Sequence, residues 1–179
     1  PATTCNGDGS GYVNHYGSNT TQKQLEHLVF WQHLTLAGLM EGQYNGTSGP
    51  SHCCRHAVIG TNVPKTPVSG LGISIYNHSG FETSWGLTFG VDRGLNTHIL
   101  LIGAEYPPFP TFSGKLKVVQ TRSLDQKIDD GVASTGKFGI MYDVVAYGTS
   151  GATVGPNGSY SYSTTNLNTP STAVAFRSW

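Results

Sequence analysis

The sequence predicts an α+β fold in which one helix near the N-terminus packs on an antiparallel β-sheet, with long Gly/Ser-rich surface loops between the elements. Three observations predict it. Residues 25–41 (LEHLVFWQHLTLAGLME) are the only long stretch with apolar side chains at helical spacing. Several later segments are short, rich in β-branched and aromatic residues, and bounded by turn formers. The 24 glycines, with abundant Ser, Thr and Asn, suit a β-rich surface with many turns. At 179 residues the chain can bury one real core but is short for two ordinary domains, so residues 1–179 are expected to form a single domain.

Residues 1–20 read as a polar loop punctuated by Gly7, Gly9, Gly11 and Gly17. Thr21 with Gln24 makes a capping-box pattern, and Glu26 sits where the positive end of the helix dipole favours it. Leu25, Leu28, Val29, Leu36, Leu39 and Met40 then recur at steps of three and four, and Phe30, Trp31, Leu34 and Ala37 widen that face around most of the cylinder. Such a helix is expected to be wrapped by other elements, with Leu25, Leu28, Val29, Trp31, Leu36 and Met40 as its packing residues. Gly42 is the expected stop, and Gly38 in the last turns suggests close approach of another backbone.

A loop is expected from residue 42 to 66, followed by strands over 71–77, 84–91, 97–103 and 139–147. Pro107, Pro108 and Pro110 predict a loop, and residues 115–122 a strand leading into a short helix. The SYSYS run at 159–163 suggests an extended surface hairpin within 148–170, and STAVAFRSW alternates well enough to return to the sheet, anchored by Trp179.

The charge pattern narrows the function. Ten basic and ten acidic residues, 11% of the chain, create no field to recruit nucleic acid or an anionic membrane surface. No run of 18 apolar residues is present to span a bilayer, and no signal peptide opens the chain, so a start at PATTCNGDG suggests a processed or trimmed product. The composition suits an extracellular surface protein. Three cysteines in an oxidising compartment imply one pair and a remainder, or a partner cysteine outside this chain. Cys5 with Cys53 or Cys54 would close a loop of about 48 residues and stabilise by roughly 3–4 kcal/mol, the alternative being three reduced, buried thiols.

Several constellations resemble chemistry. In CNGDGSGYVN, Asn6, Asp8 and Ser10 alternate as in the first half of a calcium loop, with Gly11 at the sharp turn, although Gly17 stands where a bidentate Glu belongs. The bland reading is a Gly-rich turn whose polar side chains bond their own backbone. Asp125, Asp129 and Asp130 form the one dense acidic cluster. They can terminate a helix, complete with Asp8 a cation site (Asn6, Asp8, Ser10, Asp129 and Asp130, calcium being the fitting ion), or act as a carboxylate pair in hydrolysis. His52, Cys53, Cys54 and His56, joined by His78 or His98, suggest zinc, but adjacent cysteines diverge and zinc ligands are usually two to four residues apart. The GxSxG, HExxH, GxxxxGK[ST] and GxGxxG signatures do not occur, so no catalytic residue is assigned and no enzyme is expected. Sequons at Asn19, Asn45, Asn77 and Asn157 imply exposed loops if used.

The order of three motifs, CNGDGSGYVN, then LEHLVFWQHLTLAGLMEGQYNG, then LDQKIDDGVASTGK, resembles the globular region of bacterial prepilin-type proteins, the type IV pilin and type II secretion pseudopilin superfamily. The motifs cover about a quarter of the chain, and FWQHL with KIDDG is the more specific pair. The resemblance implies a pilin-like head and a structural subunit of an extracellular cell-surface filament that acts by subunit packing and display. Its partners would be other pilin subunits or a separate hydrophobic pilin helix, and its membrane contact would run only through an N-terminal hydrophobic helix not seen in this sequence, whether trimmed, cleaved or supplied by another chain. The loops at 43–70 and 148–170 would then face outward and set adhesion. A rival class is a self-contained secreted carbohydrate-binding or adhesion module stacking sugars on Trp85, Tyr106, Phe109 and Phe112; a cation-dependent hydrolase using Asp8, Asp129 and Asp130 is a further one.

Overall fold

The computed structural model describes residues 7, 9–13, 26–51, 56–78, 87–89, 97–107, 109–133, 135–143, 152–154, 160–165, 167, 168, 170 and 173–177. They form an α+β fold with two helices and an antiparallel sheet: α1 (Glu26–Leu36), β1 (Gly72–His78), β2 (Leu87–Phe89), β3 (Thr97–Tyr106), β4 (Phe109–Ser113), α2 (Val118–Ile128), β5 (Phe138–Asp143), β6 (Ala152–Val154), β7 (Tyr160–Tyr162) and β8 (Val174–Arg177). The strand order is β1-β3-β8-β5-β2, with β4 paired to β3 and a separate β6-β7 hairpin. Cys5, Cys53, Cys54, Leu25, Trp85 and the Thr21/Gln24 box lie outside the described residues.

Helix α1 is shorter than its apolar pattern. It stops at Leu36 because Gly38 takes the left-handed conformation (φ 69°) of a Schellman motif: the Leu39 N–H donates to the Leu34 carbonyl (2.9 Å) and the Gly38 N–H to the Thr35 carbonyl (3.0 Å). The stop is therefore Gly38, not Gly42. Among the described residues nothing lies within 4 Å of where a Cβ on Gly38 would stand, so its positive φ, and not a close backbone contact there, accounts for the glycine. Of the expected packing residues, Leu28 and Trp31 are buried with Ala57, Val63 and Ile75, and Val29 and Met40 lie partly buried at the margin of that cluster. Leu36 is 78% exposed, because five residues after the buried Trp31 it stands about 140° around the helix from it.

Register assigns the two faces of the sheet. Ile75 pairs with Leu100 and Ile73 with Ile102; Leu100 and Ile102 pair in turn with Phe176 and Val174, which pair with Phe138 and Ile140. This face receives both helices, α1 through Ile73 and Ile75, and α2 through Val118 against Phe138, Ile140 and Val174. The opposite face carries Ser74, Ile99, Leu101, Gly103 and Ala175. There β4 folds back so closely that a Cβ on Gly103 would sit 2.1 Å from the Thr111 carbonyl oxygen. The Thr111 N–H donates to Ser74 Oγ (3.2 Å), which satisfies polar groups buried between the strands.

Other expectations need correction. The proline-rich loop contains β4, whose Pro110 is tolerated because an edge strand loses no ladder bond to a missing N–H. Residues 115–122 hold no strand. The Val-rich start of that segment becomes α2 because Val118, Thr121 and Asp125 fall on one helical stripe that the sheet buries, and Gln120 Oε1 accepts the Lys117 N–H (2.9 Å) to cap the first turn. The SYSYS segment does pair as a hairpin, β6 with β7, but Tyr162 is buried in the α2 cluster and does not face solvent. Asn77 is buried in β1, so its sequon is not an exposed loop.

The long connection from α1 to β1 is organised by Asn62. This buried amide accepts the Val58 N–H (2.7 Å) and donates to the carbonyls of Thr47 (2.7 Å) and His56 (3.0 Å). Asn62→Ala should cost about 2–4 kcal/mol, since three backbone groups lose their partner. Urea unfolding checks it, and a loss below about 0.5 kcal/mol would mean that water replaces the amide without cost.

Candidate functional site

Among the described residues, the richest cluster of chemistry-bearing side chains is the corner where α2 turns into β5. Asp125 follows Val118 and Thr121 on the inner stripe of α2, and so its carboxylate is fully buried. Oδ2 accepts the Tyr162 hydroxyl (2.7 Å) and Oδ1 the Gly131 N–H (3.2 Å), which ties helix, loop and β7 together. Asp129 ends the helix with its N–H on the Asp125 carbonyl (2.7 Å); its Oδ2 accepts the N–H groups of Lys137 and of Phe138 (2.8 Å), the latter the first residue of β5. Asp130 accepts the Val132 N–H (2.8 Å) and the Thr135 hydroxyl (2.5 Å). Gly131 and Gly136 turn the loop at φ 76° and 74°, and a Cβ on Gly136 would strike the Asp129 carboxylate.

Electrostatics separates the three acids. Burial raises Asp125 above the ordinary aspartate value, opposed by the bonds from Tyr162 and Gly131 and helped by the charges of Asp130 and Asp129. Burial, and then the bond to Asp125, push the Tyr162 hydroxyl far above its usual range, so it stays a donor. Asp130 is lowered by the Thr135 hydroxyl and the Val132 N–H.

One carboxylate oxygen from each of Asp125, Asp129 and Asp130 lies within 4.8 Å of the others, a donor set of the hard type that calcium prefers. This is the one group of three or more potential metal ligands among the described residues. It differs from the set expected from sequence. Asn6 and Asp8 lie outside the described residues, and Ser10 Oγ is engaged locally with the backbone of Tyr12. Asp125, which that set omitted, holds the centre. Each acid also accepts hydrogen bonds from the chain itself. Of the carboxylates considered for hydrolysis, Asp8 lies outside the described residues, and Asp129 and Asp130 are both engaged by donors of the loop and of β5.

Of the other sequence candidates, His52, Cys53 and Cys54 lie outside the described residues. His56 Nδ1 accepts the Ser51 N–H (3.2 Å) and His98 Nε2 the Val13 N–H (2.9 Å), so each lone pair serves a loop backbone. Tyr106, Phe109 and Phe112 stack on one another, with ring centroids 5.7 and 6.0 Å apart, and Phe112 is buried with Ile99, Leu101 and Ala175. Phe112 serves the core beneath β4, and Tyr106 and Phe109 lie partly buried at its margin. The Asp125–Tyr162 bond escaped sequence reasoning because its partners stand 37 residues apart; the available signal was a tyrosine at an alternate position of a strand, able to bury its ring while its hydroxyl finds an acceptor.

No family model, curated protein or solved structure matches this chain.

Two predictions follow from the corner. Tyr162→Phe leaves a buried carboxylate oxygen without its donor and should cost about 1–3 kcal/mol in urea unfolding, with no measurable change sinking the idea that this bond anchors the hairpin. Asp125→Asn tests the charge. Because folding raises the pKa of Asp125, its contribution to stability is full below the ordinary value of 3.8 and is lost as pH rises through the raised value. The Asn variant does not titrate, so its stability relative to wild type should improve from pH 4 to pH 7; a pH-independent difference refutes the assignment.

Proposed function

We propose that this chain is the head of a pilin-like filament subunit, a non-enzymatic structural protein displayed outside a bacterial cell. Two lines support the reading. The first is the resemblance carried by the ordered motifs CNGDGSGYVN, FWQHL…AGL and KIDDG…STGK. The second, which carries the physical argument, is Leu100. It lies in β3, an interior strand, on the helix-bearing face, flanked by Ile75 and Phe176, yet remains 37% exposed. An apolar side chain between two helices on a packed face is ordinarily covered, and in a pilin-like subunit the filament helix would cover it.

In this reading α1 and α2 flank the seat of a hydrophobic helix, and the sheet carries the head outward from the filament core. No helix among the described residues is long and apolar enough to cross a membrane, so such a helix would be an additional element. The acidic corner then serves as architecture, holding α2 and the β6–β7 hairpin in place at the surface.

Antibodies raised against the purified chain test the proposal. They should label filaments sheared from the native cells, seen by immunogold electron microscopy, and the antigen should sediment with them. Antigen found only as a free soluble protein, with unlabelled filaments, overturns the reading.

A further inference from the structure

Helix α2 has a second, outward stripe, most of it exposed. Leu116, Val119, Gln120, Ser123, Leu124 and Lys127 line an open groove of about 350 Å³. Its polar members are turned back on the helix: the Ser123 hydroxyl donates to the Val119 carbonyl (2.8 Å), and Gln120 Oε1 accepts the Lys117 N–H (2.9 Å). What remains is an apolar surface, with Val119 and Leu124 both well exposed and the Lys127 ammonium at one end. Lys127 has no ion-pair partner among the described residues.

The end of α1 has the converse character. Leu36 in the last turn of the helix and Leu39 just after the Schellman turn are 78% and 74% exposed, followed by the exposed Glu41, which likewise has no ion-pair partner among the described residues. A residue in the position of Leu39 commonly folds back onto the last turn of its helix; here it stands away. One surface is therefore a protruding pair of leucines with a carboxylate, and the other an apolar groove with an ammonium. They do not meet within one chain. The two helices pack over β1 and β5, which are three strand spacings apart, about 14 Å.

We propose that Leu36, Leu39 and Glu41 of one copy dock in the α2 groove of a second copy. Burial of the leucines drives the contact, and the Glu41–Lys127 pairing selects its direction more than its strength. Because the two surfaces are different, the contact is heterologous and propagates from copy to copy as a ring or a filament. It deepens the filament reading and rests on it for its place in the cell, as a lateral contact between neighbouring heads.

Analytical ultracentrifugation of the full chain tests it. The average mass should rise with concentration beyond that of a dimer, and Leu39→Asp or Leu124→Asp alone should weaken association at least about tenfold. Mixed together, the two variants should form 1:1 dimers that do not grow, since each retains the surface that the other lacks. The charges provide an independent measurement that leaves the apolar contacts in place: Glu41→Lys and Lys127→Glu should each weaken association, and the double exchange within one chain should restore it. A wild-type chain that stays monomeric, a mixture that stays monomeric while both variants keep wild-type melting temperatures, or charge variants that leave association unchanged overturns the contact. Filament labelling is a separate readout: self-association with unlabelled filaments removes the filament reading and keeps the contact, whereas labelled filaments with a monomeric chain do the reverse.

Discussion

The pairing of β3 on both sides is the constraint on which the other contacts depend. This one strand hydrogen-bonds to β1, β8 and β4, and its alternation divides the molecule into two packing problems. Ile99, Leu101 and Gly103 face the returning strand β4, while Leu100 and Ile102 face the helices. A slip of one residue would exchange these sets, placing bulky side chains where only the missing Cβ of Gly103 lets β4 approach. The register is thus determined by shape as much as by hydrophobicity.

The second organising interaction is polar. Asp125 takes a position on α2 that the amphipathic pattern reserves for an apolar residue, and it is tolerated because Tyr162 and Gly131 satisfy both oxygens. The consequence is specificity of assembly: the helix, the loop that follows it and a hairpin distant in sequence converge on one carboxylate. Asp129 and Asp130 extend the same logic into the loop, one pinning the start of β5 and the other closing a turn. In space the acidic cluster of the sequence is at once a set of acceptors for backbone and hydroxyl donors and a group of three carboxylates close enough to share a cation.

The functional reading follows the apolar groups that remain uncovered. Leu100 lies on the helix side of the sheet, Leu36 and Leu39 at the end of α1, and Val119 and Leu124 on the outer stripe of α2. Single exposed leucines are ordinary on soluble proteins. Here they occur in distinct structural settings, one between the helices, one as a projection and one as a groove, and these are the kinds of surface by which subunits pack.

Sequence by itself determined the chemical alternation of the strands, the inner face of α1 at Leu28 and Trp31, and the density of acid at Asp125, Asp129 and Asp130, because each is local and periodic. It misjudged the end of α1, since apolar spacing continues through Leu39 and Met40 while the backbone of Gly38 has already turned. It read residues 115–122 as strand because Val and Thr favour extended chain locally, whereas burial of Val118, Thr121 and Asp125 on one stripe makes the segment helical. Tertiary structure alone decided that Tyr162 reaches Asp125, that both helices share one face, and that Leu36, Leu39 and the α2 groove remain open. The physical reason is common to all three: each depends on which distant segments the sheet brings together, and a chain's local periodicity carries no record of that distance.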